Sequence, residues 1–256
     1  MKKMLFIFAV GALSALAGCG GGGNGNVVAP PPVAAQALDG IWNGTFTSNV
    51  VGGTVGAYMV ISPTNEARYV STQGVEGAGT IAVSGNTFSS NYTAFTPAGG
   101  FFPNGTTVAA GTSNGTGSTK GTITGTYSGG GDNGTFTFTY DPIYDRGASL
   151  ATISGTWTGI FVSVGTGAVV TANISTTGVI TGSDTAGCVY NGTLSIIDPL
   201  KNIYTGSMTQ TVCTPAITLT GLATLTDNPA LLPLKNNVLN FALSNATSHV
   251  AGSLGR

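Results

Sequence analysis

The sequence predicts an all-β protein: two tandem antiparallel barrels of about eight strands each, preceded by a signal peptide and a flexible linker. Three observations predict it. Short segments of alternating or β-branched residues recur every 8–12 residues or so, separated by Gly, Asn, Asp and Pro, and a helical period is almost absent. The segment Leu38-Asp39-Gly40-Ile41-Trp42-Asn43-Gly44-Thr45-Phe46 recurs as Ile153-Ser154-Gly155-Thr156-Trp157-Thr158-Gly159-Ile160-Phe161. Both copies read apolar-x-Gly-x-Trp-x-Gly-x-Phe, so the two tryptophans of the chain mark equivalent places in repeats of about 100 residues. Eight antiparallel strands per repeat close into a small barrel, which removes exposed sheet edges.

The N-terminus is a targeting element. Lys2 and Lys3 form a positive n-region, and Met4 to Leu16 form an apolar stretch too short to span a bilayer comfortably. The stretch ends Leu16-Ala17-Gly18-Cys19, which resembles the lipobox of bacterial lipoproteins, matching it at all four positions. The resemblance implies a signal peptide over residues 1–18 and a Cys19 that carries diacylglycerol and a further acyl chain such as palmitate. Three buried chains at about 0.8 kcal/mol per CH₂ would hold the protein on a membrane, making Cys19 its link to the lipid bilayer; a protein or a small apolar ligand is the other kind of partner expected. In many Gram-negative lipoproteins an Asp after the cysteine retains the protein in the inner membrane. Gly20 stands there, which implies the outer membrane. Residues 19–37 form a tether, flexible through Gly20 to Gly25 and extended through Pro30-Pro31-Pro32.

The first barrel is then expected over residues 38–148 and the second over 149–256. In the second, strands are predicted at Ser154–Val164, Ala168–Ser175, Val179–Ser183, Cys188–Ile197, Ile203–Val212, Ile217–Thr226, Val238–Leu243 and Val250–Leu254. The first copy gives a similar number, with Asn-Gly turn signals at Asn104-Gly105, Asn114-Gly115 and Asn133-Gly134, and a bulge expected at Asn43-Gly44.

With Cys19 consumed by lipid, Cys188 and Cys213 remain, in an oxidising compartment, and are expected to pair. If Asp198 faces Ile203 across the intervening turn, opposed positions sum to 401, and Cys188 and Cys213 oppose each other. No further cysteine and only one histidine, His249, exist to complete a metal site, so no metal and no cofactor are expected.

The Gly-x-Trp pairs Gly40/Trp42 and Gly155/Trp157 resemble the first-strand motif of lipocalins and other calycins. Each repeat also ends near an arginine, Arg146 or Arg256. The resemblance implies that Arg146 and Arg256 pack over Trp42 and Trp157 and close one end of each barrel, a guanidinium resting on an indole face. It favours calycin-like barrels over an immunoglobulin-like sandwich. The repeats are shorter than typical lipocalins and offer no C-terminal helix.

Charged residues are 7% of the chain. Six basic against nine acidic side chains after the signal peptide leave a net charge of about −3, which supplies no basic patch and excludes a nucleic-acid partner. Gly111-Thr112-Ser113-Asn114-Gly115 matches Gly-x-Ser-x-Gly, with Asp184 and His249 following in hydrolase order, but it reads as a Gly/Ser/Thr-rich loop, without the strand-to-helix elbow that such a nucleophile needs. Gly129 to Gly134 fits a dinucleotide fingerprint on spacing and reads as a hairpin loop, since no helix follows. No catalytic residue is assigned. Tyr140 to Gly147 is the most charged and aromatic stretch, readable as the junction between repeats or as a partner-binding rim.

Three functions fit the sequence. The first is a non-enzymatic envelope lipoprotein presenting both barrels to a macromolecular partner. The second is lipocalin-like carriage of a small apolar ligand, and the third is hydrolysis through Ser113 or a carboxylate pair. A continuous apolar cavity of about 300 Å³ or more separates the second from the first; a convergent Ser113–His249 geometry is required for the third.

Overall fold

In the computed structural model, residues 35–161, 168–213, 216–228, 230 and 235–256 are described; the signal segment, Cys19 and the tether to Ala34 lie outside them. Eight strands form the first barrel: β1 (Gly40–Ser48), β2 (Thr54–Ile61), β3 (Glu66–Ser71), β4 (Glu76–Ser84), β5 (Thr87–Phe95), β6 (Val108–Gly117), β7 (Thr122–Gly129) and β8 (Asp132–Asp141). Each pairs with its successor, and β8 returns to β1 to close the barrel. A 3₁₀ turn (Pro142–Arg146) and a short helix, α1 (Leu150–Ile153), lead into the second barrel. Its strands are β9 (Gly155–Phe161), β10 (Val169–Ile174), β11 (Val179–Asp184), β12 (Val189–Ile196), β13 (Tyr204–Thr211), β14 (Ile217–Thr226), β15 (Val238–Ser244) and β16 (His249–Gly255), closed by β16 on β9. The last residues assigned to the first predicted strand of this barrel, 162–164, lie outside the described residues.

Both copies use the repeated motif alike. Trp42 and Trp157 are fully buried, and each indole Nε1–H donates to a carbonyl four residues earlier, Leu38 at 3.1 Å and Ile153 at 2.8 Å. At the second copy the Arg256 guanidinium lies 4.5 Å from the Trp157 ring centroid and donates to the carbonyls of Ser154 and Thr152 at 2.9 Å. Arg146 departs from the expected role. Pro142 turns the chain away from the barrel end, and the guanidinium instead forms a bidentate pair with Asp227 of the second barrel, both contacts at 2.7 Å. Trp42 is covered by the Tyr140 ring, edge-on at 5.4 Å. Tyr144, fully buried, fills the junction between the barrels, so the Tyr140–Gly147 stretch is built into the fold.

Three turn readings are corrected. β1 runs through Asn43-Gly44 without a bulge, in unbroken register with both neighbours; Gly44 is required because a Cβ there would strike the Thr137 carbonyl and Phe138 on β8. Asn114-Gly115 lies inside β6 and Asn133-Gly134 inside β8. The hairpin between β7 and β8 turns at Gly130-Gly131, whose φ values of 65° and 81° need glycine.

Cys188 and Cys213 form the disulfide, with Cα atoms 5.1 Å apart. The register beneath it differs by one from the expected one: Val189 faces Thr211 and Ile196 faces Tyr204, so the ladder sums to 400. Asp198 accepts from the Leu200 amide and shapes a longer loop than the sequence suggested. At the other end Val212, with φ 70°, is an extra residue that brings Cys213 back opposite Cys188.

Both barrels belong to one compact unit. They stand side by side: Phe95 stacks on His249 at 4.9 Å near one end, the Tyr58 and Thr224 hydroxyls bond at 2.5 Å, and Arg146 meets Asp227 at the other end. Ile41, Val60, Tyr144, Ile203 and Leu222 form a buried cluster shared by the two barrels. β14 therefore buries both faces, Gly221 to Leu225 without a break.

Candidate ligand-binding cavity

Alternation decides what each barrel encloses. Along β6 the inward positions are Ala109, Gly111, Ser113, Gly115 and Gly117, all small, with the even-numbered residues turned out. The opposing walls are aromatic: Phe46, Tyr69, Phe88, Tyr92, Tyr127, Phe136 and Phe138 line the interior. These rings lie over glycines on adjacent strands. Tyr69 faces Gly77, Tyr92 faces Gly79 and Gly111, and Phe138 faces Gly44; a Cβ at Gly77 or Gly111 would fall on the ring opposite. Much of the glycine content is thus sterically required by the walls.

What remains is a cavity of about 330 Å³ inside the first barrel. Leu38, 2% exposed, and Trp42 lie at its closed end, beside the 3₁₀ turn. The opposite end is ringed by the loops carrying Val51 and Gly52, Gln73, and Phe101 to Pro103. Among the described residues, no lysine or arginine lines it. At the rim Asp132 accepts from Ser48 at 2.8 Å and from the Tyr127 hydroxyl at 2.9 Å, so its carboxylate is already engaged. Burial raises the Tyr92 phenol to about 12 and the Tyr69 phenol well above its ordinary value, so both rings present neutral O–H groups.

Among the described residues, the interior of the second barrel carries large apolar side chains. Trp157, Ile174, Leu194, Tyr204, Leu225, Leu239 and Leu254 pack its lower half; Val170, Tyr190, Met208, Leu219, Leu243 and Val250 pack its upper half under the disulfide. Leucine and methionine occupy inward positions where the first barrel places glycine and serine. A larger groove, about 970 Å³, runs between the barrels along their outward faces, where Val60, Ile160, Leu222 and Phe241 stand beside Asn43, Asp141 and Asn240, and it lacks the aromatic enclosure of the barrel. The barrel cavity has the apolar lining and the closed floor that a small-molecule site needs.

The hydrolase constellation is not assembled. Ser113 lines the cavity, Asp184 holds the Tyr190 hydroxyl at 2.6 Å in the second barrel, and His249 stacks on Phe95 between the barrels. The Gly-x-Ser-x-Gly match lies inside β6, not in the loop that its composition suggested and not in an elbow; it is the run of small inward residues that makes room for the cavity. The sequence left open whether either barrel holds a cavity, although that run of small residues was its signal in the first.

The least expected group is Glu76, at the interface end of β4. It is fully buried, its oxygens have no hydrogen-bond partner, and Arg68 lies 3.8 Å away. Arg68 is already neutralised by Glu66 at 2.8 Å and donates to Ser244 and to the Thr220 carbonyl across the interface. Burial, only partly offset by Arg68, raises the Glu76 carboxyl to about 9. His249, its Nε2 also buried without a partner, is lowered to about 4 by burial.

Compared with family models, curated proteins and solved structures, the chain matches none of them. No helix among the described residues is long and apolar enough to cross a membrane, and no group of three or more His, Cys, Asp or Glu among them is placed to hold a metal.

Proposed function

We propose that the chain is a non-enzymatic lipoprotein of the outer membrane, anchored through Cys19, whose first barrel carries a small, uncharged apolar molecule. The observation that carries this reading is the cavity: about 330 Å³, aromatic-walled and closed at the Trp42 end. That volume lies at the lower end of the range typical of small-molecule sites. Aromatic faces favour a flat or branched hydrocarbon body, and the neutral phenols of Tyr69 and Tyr92 offer hydrogen bonds to a carbonyl or ether oxygen. The absence of a lining cation disfavours a carboxylate or phosphate ligand, whose burial would be unpaired. The second barrel supports the first through their shared core.

The uncharged fluorophore N-phenyl-1-naphthylamine tests the cavity. Saturable fluorescence enhancement at one molecule per chain is expected, and Ser113→Phe, which projects a ring into the space, should weaken it at least tenfold while the protein remains folded. No saturable binding, or binding indifferent to Ser113→Phe, would overturn the reading. The anchor has its own test. Cys19→Ser should be washed from membranes by alkaline carbonate, whereas the lipidated parent resists; a resistant variant would refute anchoring at Cys19.

A further inference from the structure

We propose that the open end of the first barrel docks on a lipid bilayer surface, so that the cavity exchanges its occupant directly with the membrane. Apolar and charged side chains are segregated along the barrel axes. Of the eight large apolar residues exposed among the described residues, six lie at the open end: Val50 (54%), Val51 (71%) and Phe101 (69%) around the cavity mouth, and Ile160, Val169 and Val212 at the same end of the second barrel. Val51 and Phe101 are part of the mouth itself.

The cations are elsewhere. Lys120, Arg146, Lys201, Lys235 and Arg256 all follow from loops or chain ends at the closed end, and Arg68 is buried. Three carboxylates lie toward the open end: Asp132 and Asp184 are each bonded by a tyrosine hydroxyl, and Glu76 is fully buried away from the surface. A surface that combines exposed valines and a phenylalanine with no cation suits the apolar boundary of a zwitterionic bilayer, not an anionic partner.

The chain outside the described residues permits this orientation. Ala35 enters at the closed end, where Gln36 donates to the Gly85 carbonyl. The sixteen steps from Cys19 to Ala35 reach about 55 Å when extended, against about 30 Å for a nine-residue strand. The docking rests on the lipid-anchored reading above through this tether, and the exchange rests on the ligand-carrying reading of the cavity.

The test places a reporter at Val50, which is exposed but does not line the cavity. Val50→Trp and, at the closed end, Leu200→Trp (Leu200 is 75% exposed) are made in the lipidated chain and reconstituted into phosphatidylcholine vesicles with brominated acyl chains. Trp42 and Trp157 are buried and supply a constant background. Bromolipid is expected to quench the Val50→Trp signal severalfold more than that of Leu200→Trp, with little change between low and high salt. Equal quenching at the two sites, or none at Val50→Trp, overturns the docking. Fluorophore binding by Val50→Asp in solution should stay at the parent level, so a failed cavity and a failed docking are told apart; the mass of the N-terminal peptide reports lipidation separately.

Discussion

Trp157 shows how far a single residue was legible. Its place in the repeat indicated a buried aromatic, and it is fully buried with Arg256 over its face. Trp157→Ala should cost about 3–5 kcal/mol in chemical denaturation, the usual penalty for emptying a large core aromatic; a change below about 1 kcal/mol would remove it from the core's supports. Arg146 was misplaced because the motif records an arginine near the end of the repeat, whereas Pro142 redirects the backbone before it. Glu76 was not legible at all, since its burial depends on a neighbouring barrel. Its folded carboxyl titrates near 9 against an ordinary 4.5, so the stabilisation from holding that proton is complete below pH 4.5 and is lost as pH rises toward 9. His249 has the opposite sign: near 4 when folded against 6.5, it costs stability as pH falls from 6.5 to 4. The two slopes oppose between pH 4.5 and 6.5, and above that window Glu76 acts without His249. Glu76→Gln should therefore flatten the decline in thermal midpoint between pH 6.5 and 9, a slope of at most about 1.4 kcal/mol per pH unit for one group. A decline unchanged in the variant would show that Glu76 is ionised in the folded protein.

Strands were the most legible elements, because inward and outward residues alternate and Gly, Asn and Asp punctuate them. Ile217–Thr226 was read to the residue. Register was less legible, since a one-residue difference in a loop reverses which face a strand presents, and loop geometry depends on interactions such as the Asp198 side chain with the Leu200 amide. The disulfide survived the misread register because Val212 adds the missing residue. For the same reason the aromatic-over-glycine packing was hidden: Tyr69 and Gly77 face each other only once β3 and β4 are aligned. The bond between Cys188 and Cys213, separated by 25 residues, should contribute about 3 kcal/mol by restricting the unfolded chain. Denatured, unreduced protein should offer no thiol to a maleimide reagent; two labelled cysteines would show that the bond is not formed.

Two repeats of this length that folded independently would unfold in two transitions, only one of them sensitive to reductant. The packing between the barrels argues otherwise. Outward-facing Val60 and Leu222, which alternation would assign to solvent, are 5% and 2% exposed, and they bury with Ile41, Tyr144 and Ile203. Arg68 crosses to Ser244 and Thr220, and Arg146 to Asp227, so separating the barrels would break charged hydrogen bonds as well as expose apolar surface. Opening one barrel alone exposes the flank of the other, and its cost is shared. The expected result is one calorimetric transition for the mature chain, with matching van't Hoff and calorimetric enthalpies, that reductant lowers as a whole. Leu222→Glu, which places a carboxylate in the shared cluster, should divide it into two, with the reductant-sensitive step belonging to the second barrel. Two transitions in the unmodified protein, one of them indifferent to reductant, would mean that the interface adds too little to couple the barrels.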